Sequence, residues 1–243
     1  MKKIYIFLIV IIIILIILFK YFFSNDAEHF ISYENIKKNI KTGDIILFAC
    51  DHRMNPIKKI KYGCRTKLLG SEFGHVGLIL KKKDKYYVVE CCGTDQCGDE
   101  ISYHLNNKKS GGVRIIDLEE YLSEYKNSYN GYFAIKHIHK AIPNDLFLLN
   151  LKKYKNKIFE SKLKLINLAT LDILGGHSLA LKLEKQLRNP NQMMCSEFMH
   201  SILFDCGILS EYNSKLFWPH MINDSSFCKF QIVPYGKIIH FRF

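Results

Sequence analysis

The N-terminal end of the chain is a long apolar run. Residues from Ile4 to Phe19 are apolar apart from one tyrosine hydroxyl, and only Lys20 interrupts the run before Phe23. A helix over Ile4–Phe23 would span roughly 30 Å, which matches the hydrocarbon thickness of a bilayer. A cleaved signal peptide usually has a shorter apolar core and small residues at the cut, and here only Asn25-Asp26-Ala27 could serve. The pattern therefore predicts a single-pass membrane anchor over residues 1–23.

Short apolar runs predict strands through the first half of the remaining chain. These runs are Ile45–Phe48, Val76–Leu80, Tyr86–Cys91, Val113–Ile116 and Tyr132–Ile138. The lysines and Asp84 between the second and third runs predict a hairpin turn. Asp117 is a fair N-cap for a helix over Leu118–Tyr125. Ahead of the first strand, residues 24–42 are polar and predict a linker with a short helix over Ser32–Asn39.

Helical spacing dominates the second half of the chain. Between residues 144 and 187, leucines and isoleucines recur near helical spacing with lysines mostly between them. This pattern predicts one or two amphipathic helices that end at Gly175-Gly176. Their apolar sides could pack on a core or lie on a membrane surface, and core packing is favoured. A compact helix follows over about Cys195–Cys206, and Gln231–Phe243 predicts two β-rich pieces around Gly236.

The order of these elements indicates the fold class. Strands come first and helices follow, which is the order of an α+β domain. The 243 residues are enough for one ordinary domain and an N-terminal appendage. We therefore expect a single domain over residues 43–243, with a helical insertion at about 144–187.

The chain carries a formal net charge of +12, spread over short lysine runs. In a membrane-tethered protein such runs most simply face anionic lipid headgroups, so the lipid bilayer is the expected partner. A solvated lysine-rich surface is an equal alternative. The sequence has no nucleic-acid-binding motif and no basic tail, so no nucleic-acid partner is expected.

Eight cysteines are few for a disulfide scaffold of this length. Cys91, Cys92 and Cys97 cluster, with Cys64 upstream. A zinc site would prefer paired C-x2-C spacings, which are absent, so no metal and no other cofactor is expected. A disulfide within this cluster is favoured if the domain faces an oxidising compartment, and free thiols are equally consistent if it does not.

Cys195 is the candidate nucleophile. It lies at the predicted start of a helix, where unpaired N–H groups and the positive end of the helix dipole favour a thiolate and can stabilise an oxyanion. A neighbouring imidazolium would add to this effect and shuttle the proton. The alternative is a structural role, because Cys195 also belongs to an apolar helical stripe with Phe198 and Ile202.

His75 is the candidate base. It begins the strand-like run Gly74-His75-Val76-Gly77, where a strand would place it rigidly and the glycines leave room for a partner. Four other histidines are rivals for the role: His52, His104, His177 and His200. His200 lies about 140° around the helix from Cys195 and cannot easily meet the thiol.

A third group should orient the imidazole. Glu90 ends the strand over Tyr86–Glu90, and antiparallel pairing with Val76–Leu80 would bring it near the level of His75. A carboxylate among apolar neighbours also requires a partner. Asp44 and Asp51 are alternatives for this role.

Four segments carry a family resemblance. They are Gly43-Asp44-Ile45-Ile46-Leu47-Phe48, Phe73-Gly74-His75-Val76-Gly77-Leu78, Val89-Glu90 and Cys195-Ser196-Glu197-Phe198. In this order they resemble the permuted NlpC-type papain-like superfamily, which includes bacterial YiiX-type proteins, a poxviral relative and, more distantly, lecithin:retinol acyltransferase-like enzymes. The resemblance covers about residues 40–210. The long segment 140–190, the Cys91-Cys92 pair and the N-terminal run depart from the family pattern.

The resemblance implies a permuted papain-like fold, in which a small antiparallel sheet or barrel packs on the helix that bears the nucleophile. It also implies Cys195 as nucleophile, His75 as base and Glu90 as the orienting residue. We therefore predict a membrane-anchored cysteine hydrolase or acyltransferase that acts on an amide, ester or thioester, with a lipid or lipidated substrate favoured. The alternatives are a cysteine peptidase or amidase, and a non-catalytic membrane or envelope protein that keeps the fold. The composition and the poxviral relative favour a viral origin, so the membrane would be a host or a viral one.

Overall fold

The described part of the chain contains ten strands and six helices. The structure is a computed structural model, and it describes residues 30–49, 72–93, 103–104, 111–210, 217–223, 227, 229 and 231–243. The strands are β1 (Ile31–Ser32), β2 (Ile45–Ala49), β3 (Phe73–Lys82), β4 (Lys85–Cys92), β5 (Tyr103–His104), β6 (Gly112–Asp117), β7 (Tyr132–Ile138), β8 (Ile158–Phe159), β9 (Gln192–Met193) and β10 (Tyr235–Arg242). The helices are α1 (Tyr33–Lys37), α2 (Leu118–Tyr129), α3 (Asn144–Lys152), α4 (Lys162–Gly175), α5 (His177–Leu187) and α6 (Cys195–Asp205), and a 3₁₀ turn covers Pro219–Asn223.

In the described part of the chain, eight of the strands form one sheet, in the order β1-β10-β7-β2-β3-β4-β6-β5. Its neighbours are antiparallel, except that β1 runs parallel to β10. β8 and β9 form a separate parallel pair. β3 and β4 therefore lie near the middle of the main sheet, joined by the predicted lysine-rich turn.

The two faces of the sheet are covered by different helices. Side chains alternate along a strand, and Ile45 and Leu47 of β2 join a core cluster with α3 and α6. Ile46 and Phe48 join the opposite cluster, which contains buried side chains of α1 and α2. The fold is thus a mixed α+β arrangement with helices on both faces, as the order of elements predicted.

The five predicted strands are confirmed, and so is the helix that Asp117 caps. The Asp117 carboxylate accepts hydrogen bonds from Glu119 N (3.0 Å) and Glu120 N (3.3 Å). The predicted helix at Cys195 is also confirmed, and it begins at that residue.

The short helix predicted over Ser32–Asn39 is confirmed as α1, but this part of the predicted linker over residues 24–42 packs against the sheet. β1 pairs with the C-terminal strand β10, and Tyr33, Ile36 and Ile40 are 4%, 2% and 1% exposed. Their apolar side chains pack under the sheet, although polar residues separate them in sequence. The folded unit therefore includes residues that precede the boundary predicted at 43.

The helix end predicted at Gly175-Gly176 is confirmed, because α4 ends at Gly175 and Gly176 has φ of +81°. A further helix, α5, begins directly afterwards at His177. The prediction of two β-rich pieces around Gly236 within Gln231–Phe243 was wrong. One strand, β10, covers Tyr235–Arg242, and its pairing with β7 shifts register between Tyr235 and Ile238. Gly236 lies within that irregularity rather than between two strands.

No helix among the described residues has both the length and the apolar character needed to cross a bilayer. The anchor predicted over residues 1–23 lies outside the described residues.

Candidate active site

Cys195 is the first residue of α6 and is 6% exposed. The chain enters this helix through β9, where Met193 pairs with Phe159 of β8. The first helical hydrogen bond runs from Phe198 N to Met194 O at 2.9 Å. The N–H groups of the first turn have no partner within the helix, so they and the positive end of the helix dipole lie where the thiol is.

His75 and Glu90 meet on the neighbouring strands β3 and β4. The Nε2 atom of His75 lies 2.7 Å from Oε2 of Glu90, and both side chains are buried. The antiparallel register, in which Leu78 faces Val89, brings Glu90 beside His75 as the sequence predicted. Their catalytic roles stay predictions.

Arg114 was missed by the sequence analysis. It faces Glu90 directly across the β4–β6 pair, and its Nε donates to Oε1 of Glu90 at 2.6 Å. Its Nη2 also bonds the same oxygen. The guanidinium lies over the ring of Tyr121, 5.1 Å from the centroid, and is 1% exposed. A single arginine within the apolar run Val113–Ile116 was the available signal, because a buried cation requires an acidic partner.

The buried charges set the protonation of this network. Burial alone would lower the pKa of His75, but the charges of Glu90 and Cys195 outweigh it and raise the pKa to about 10. Burial would raise the pKa of Glu90, but Arg114 and His75 lower it to about 2. At neutral pH the pair is therefore a carboxylate and an imidazolium, and both ring nitrogens of an imidazolium are donors.

The second ring nitrogen of His75 is the one available to the thiol. Nδ1 makes no hydrogen bond of ordinary length among the described residues. The Cys195 thiol nonetheless lies close enough for its charge and hydrogen bonding to raise the pKa of the imidazole. Glu90 occupies Nε2, so Nδ1 can exchange a proton with the thiol. Such contacts are often long without substrate and tighten when one binds.

Two buried titratable residues near Cys195, Cys91 and Glu197, have raised pKa values. Cys91 is a buried free thiol whose Sγ contacts Met193 O at 3.6 Å. Burial, followed by the charges of Cys195 and Glu90, raises the pKa of Cys91 well above its usual value, which makes it unreactive. Glu197 contacts the Met194 N–H at 3.5 Å, and burial raises its pKa to about 7.

The disulfide predicted for an oxidising compartment is absent at Cys91, which is free in the described part of the chain. Cys64 and Cys97 lie outside the described residues.

Two of the rival histidines, His200 and His177, have other surroundings. His200 packs with its ring 5.3 Å from that of Phe217, and burial lowers its pKa to about 4. His177 bonds Asp172 at 3.0 Å at the exposed start of α5. His104 lies in β5, and His52 lies outside the described residues.

Asp44, one of the two rival carboxylates, does not replace Glu90 in this geometry. Asp44 is fully buried, and its carboxylate accepts from Ile138 N and contacts Nδ1 of His137 at 2.7 Å, not His75. Asp51 lies outside the described residues. Within the described residues, no group of three or more histidine, cysteine, aspartate or glutamate side chains is placed to hold a metal ion.

The chain is similar to a viral protein, and no family model matches it. A protein of Acanthamoeba polyphaga mimivirus, "Uncharacterized protein R372", is 44% identical over 214 residues, which cover 87% of this chain and 86% of that protein. Among solved structures, the metalloprotein YiiX from Escherichia coli O157:H7 aligns with a TM-score of 0.33 and 15% identity over 69% of this chain and 67% of that chain. At that TM-score the likeness carries no argument about fold or activity.

Proposed function

This chain belongs to the family of the mimivirus protein R372, and we propose that it is a cysteine-dependent hydrolase or acyltransferase with a permuted NlpC-type papain-like fold. A mimivirus relative fits a viral origin for the chain. The observation that carries the proposal is the buried chain of contacts from Arg114 through Glu90 to His75, beside a cysteine at a helix start. Glu90 holds one ring nitrogen, which leaves the other for the thiol.

In the proposed reaction Cys195 is the nucleophile, and His75 first gives and then takes back a proton. The Cys195 sulfur attacks the carbonyl carbon of an amide, ester or thioester, and N–H groups of the first turn of α6 stabilise the oxyanion. The bond to the leaving group breaks as His75 gives it a proton, and an acyl group remains on the sulfur. Water or an acyl acceptor then attacks the acyl carbon, returns a proton to His75 and releases the cysteine.

The proposed substrate class follows from the predicted location of the domain at a membrane. The predicted anchor over residues 1–23 would hold the domain at a bilayer, and the net charge of +12 suits anionic headgroups. A lipid or lipidated substrate is therefore favoured over a soluble peptide.

Acyl trapping tests the proposal. We expect the full chain, mixed separately with a fatty-acyl thioester, an ester and a peptide amide, to gain one acyl group from at least one of them, located by mass spectrometry on Cys195. Cys195→Ala should gain none, and Cys206→Ala, which removes another buried thiol, should behave as the native chain.

The three probes separate the substrate classes. Trapping from the peptide amide alone would favour the peptidase alternative. A chain that gains no acyl group from any probe, or gains it equally after Cys195→Ala, is not this enzyme and supports a binding or structural role.

A further inference from the structure

Helix α4 exposes a row of large apolar side chains. Leu163, Ile166 and Leu174 are 71%, 62% and 81% exposed, and we call these three residues the apolar stripe. They are three and eight residues apart, which places them within about 80° of one another around the helix. The sequence favoured core packing for this segment. That prediction is confirmed for Leu168, which lies on the other side of the helix and is 1% exposed, and it is wrong for the apolar stripe.

The neighbouring helix α5 adds apolar and positive groups. It packs against α4 and exposes Leu179 and Leu187 at 46% and 47%. Lys182 and Lys185 are also exposed on α5, and neither has an acidic partner among the described residues. Exposed leucines beside unpaired lysines are the combination that binds the interface of an anionic bilayer.

The inner side of the two helices is attached to the candidate active site. Leu168 and Ala180 cluster with Met194 and Trp218, and Met194 directly precedes Cys195. The Trp218 indole also donates to Asp172 of α4 at 2.6 Å. The apolar stripe is therefore presented outward by helices whose inner side touches the start of the nucleophile helix.

We propose that the apolar stripe and the lysines of α5 dock on an anionic lipid surface. Docking there would hold the start of α6 near the bilayer, separated from it by the thickness of these helices, about 10–12 Å. The assignment of a bilayer lipid as substrate rests on the proposed function, whereas the docking does not. A second copy of the chain fits this surface less well than an anionic bilayer does, because the exposed lysines of the two copies would repel each other.

Fluorescence quenching by brominated lipids tests the docking on the full chain in vesicles. Leu174→Trp places an indole in the stripe, and Ile232→Trp places one at a side chain that is 59% exposed outside the two helices. Both variants share the native Trp218 and the apolar N-terminal run, so tethering alone affects them equally. The vesicles contain phosphatidylserine and phosphatidylcholine with brominated or ordinary chains.

We expect brominated lipid to quench the emission added by Leu174→Trp by about half, because interfacial helices bury their apolar side chains roughly 5–10 Å into the boundary. The emission added by Ile232→Trp should not change. Replacing phosphatidylserine with phosphatidylcholine should weaken the quenching of the first variant.

Equal quenching of the two variants, or none in either, overturns the docking. A blue shift of the Leu174→Trp emission that grows with protein concentration without lipid also overturns it, because a second copy then covers the stripe. Acyl trapping on the same samples separates the two proposals. Quenching without acyl trapping would support the docking and contradict the proposed enzyme activity. Acyl trapping without quenching would support the activity and contradict the docking.

Discussion

Arg114→Met is expected to lower the free energy of unfolding by about 3–5 kcal/mol. The change leaves the Glu90 carboxylate fully buried with one of its two charged partners removed. Removing one member of a buried ion pair is costly because the remaining charge has lost both its counter-charge and its water. Urea denaturation followed by circular dichroism measures the loss.

Matched variants distinguish charge from packing in this prediction. Arg188→Met removes an exposed arginine and should change stability by less than about 0.5 kcal/mol. Adding Glu90→Gln to Arg114→Met removes the buried carboxylate that has lost its arginine, so the double variant should regain part of the loss. A double variant that loses the sum of the two single effects would show that Arg114 acts through packing alone.

His75→Ala is expected to slow acylation of Cys195 about 10²–10⁴-fold, the range for loss of a positioned acid–base group. Without the imidazole, the thiol loses its proton acceptor and the leaving group loses its donor. Single-turnover acylation, measured by intact mass with a probe that the native chain accepts, gives the rate. His139→Ala, which removes an exposed histidine, should react as the native chain does.

Glu90→Gln tests the orienting role in the same assay. It keeps the shape of the side chain but removes the charge that raises the pKa of His75, so the rate should fall by less than in His75→Ala. Acylation at the native rate in His75→Ala would remove His75 from the mechanism.

The meeting of His75 and Glu90 could be predicted from local sequence. Short apolar runs identified β3 and β4, and the short lysine-rich turn between them predicted their antiparallel pairing. Side chains on one face of paired strands are neighbours, so the carboxylate had to come near the imidazole. Local sequence likewise identified Asp117 as a helix cap.

Arg114 could not be predicted as their partner, because neither strand has a sequence pattern that indicates the pairing of β4 with β6. The residues from Cys92 to Gly112 that join them have no pattern that sets a register. The closeness of Cys195 to His75 likewise joins residues far apart in sequence. Their local contexts made them candidates for nucleophile and base, and the family resemblance implied that they act together. The packing of the predicted linker on the sheet could not be predicted, because Tyr33, Ile36 and Ile40 are too few and too dispersed to indicate a core segment.

The rate of alkylation of Cys195 against pH, measured on the full chain with the label located by mass spectrometry, tests the central claim most directly. A thiolate held by imidazolium should alkylate with an apparent pKa well below 8.5, and far faster than the buried and protonated Cys91. Because His75 keeps its proton up to about pH 10, its charge supports the thiolate throughout the neutral range. His75→Ala should move the apparent pKa of Cys195 upward. If Cys195 labels no faster than Cys91, or its apparent pKa is the same in His75→Ala, the thiolate–imidazolium pair does not exist.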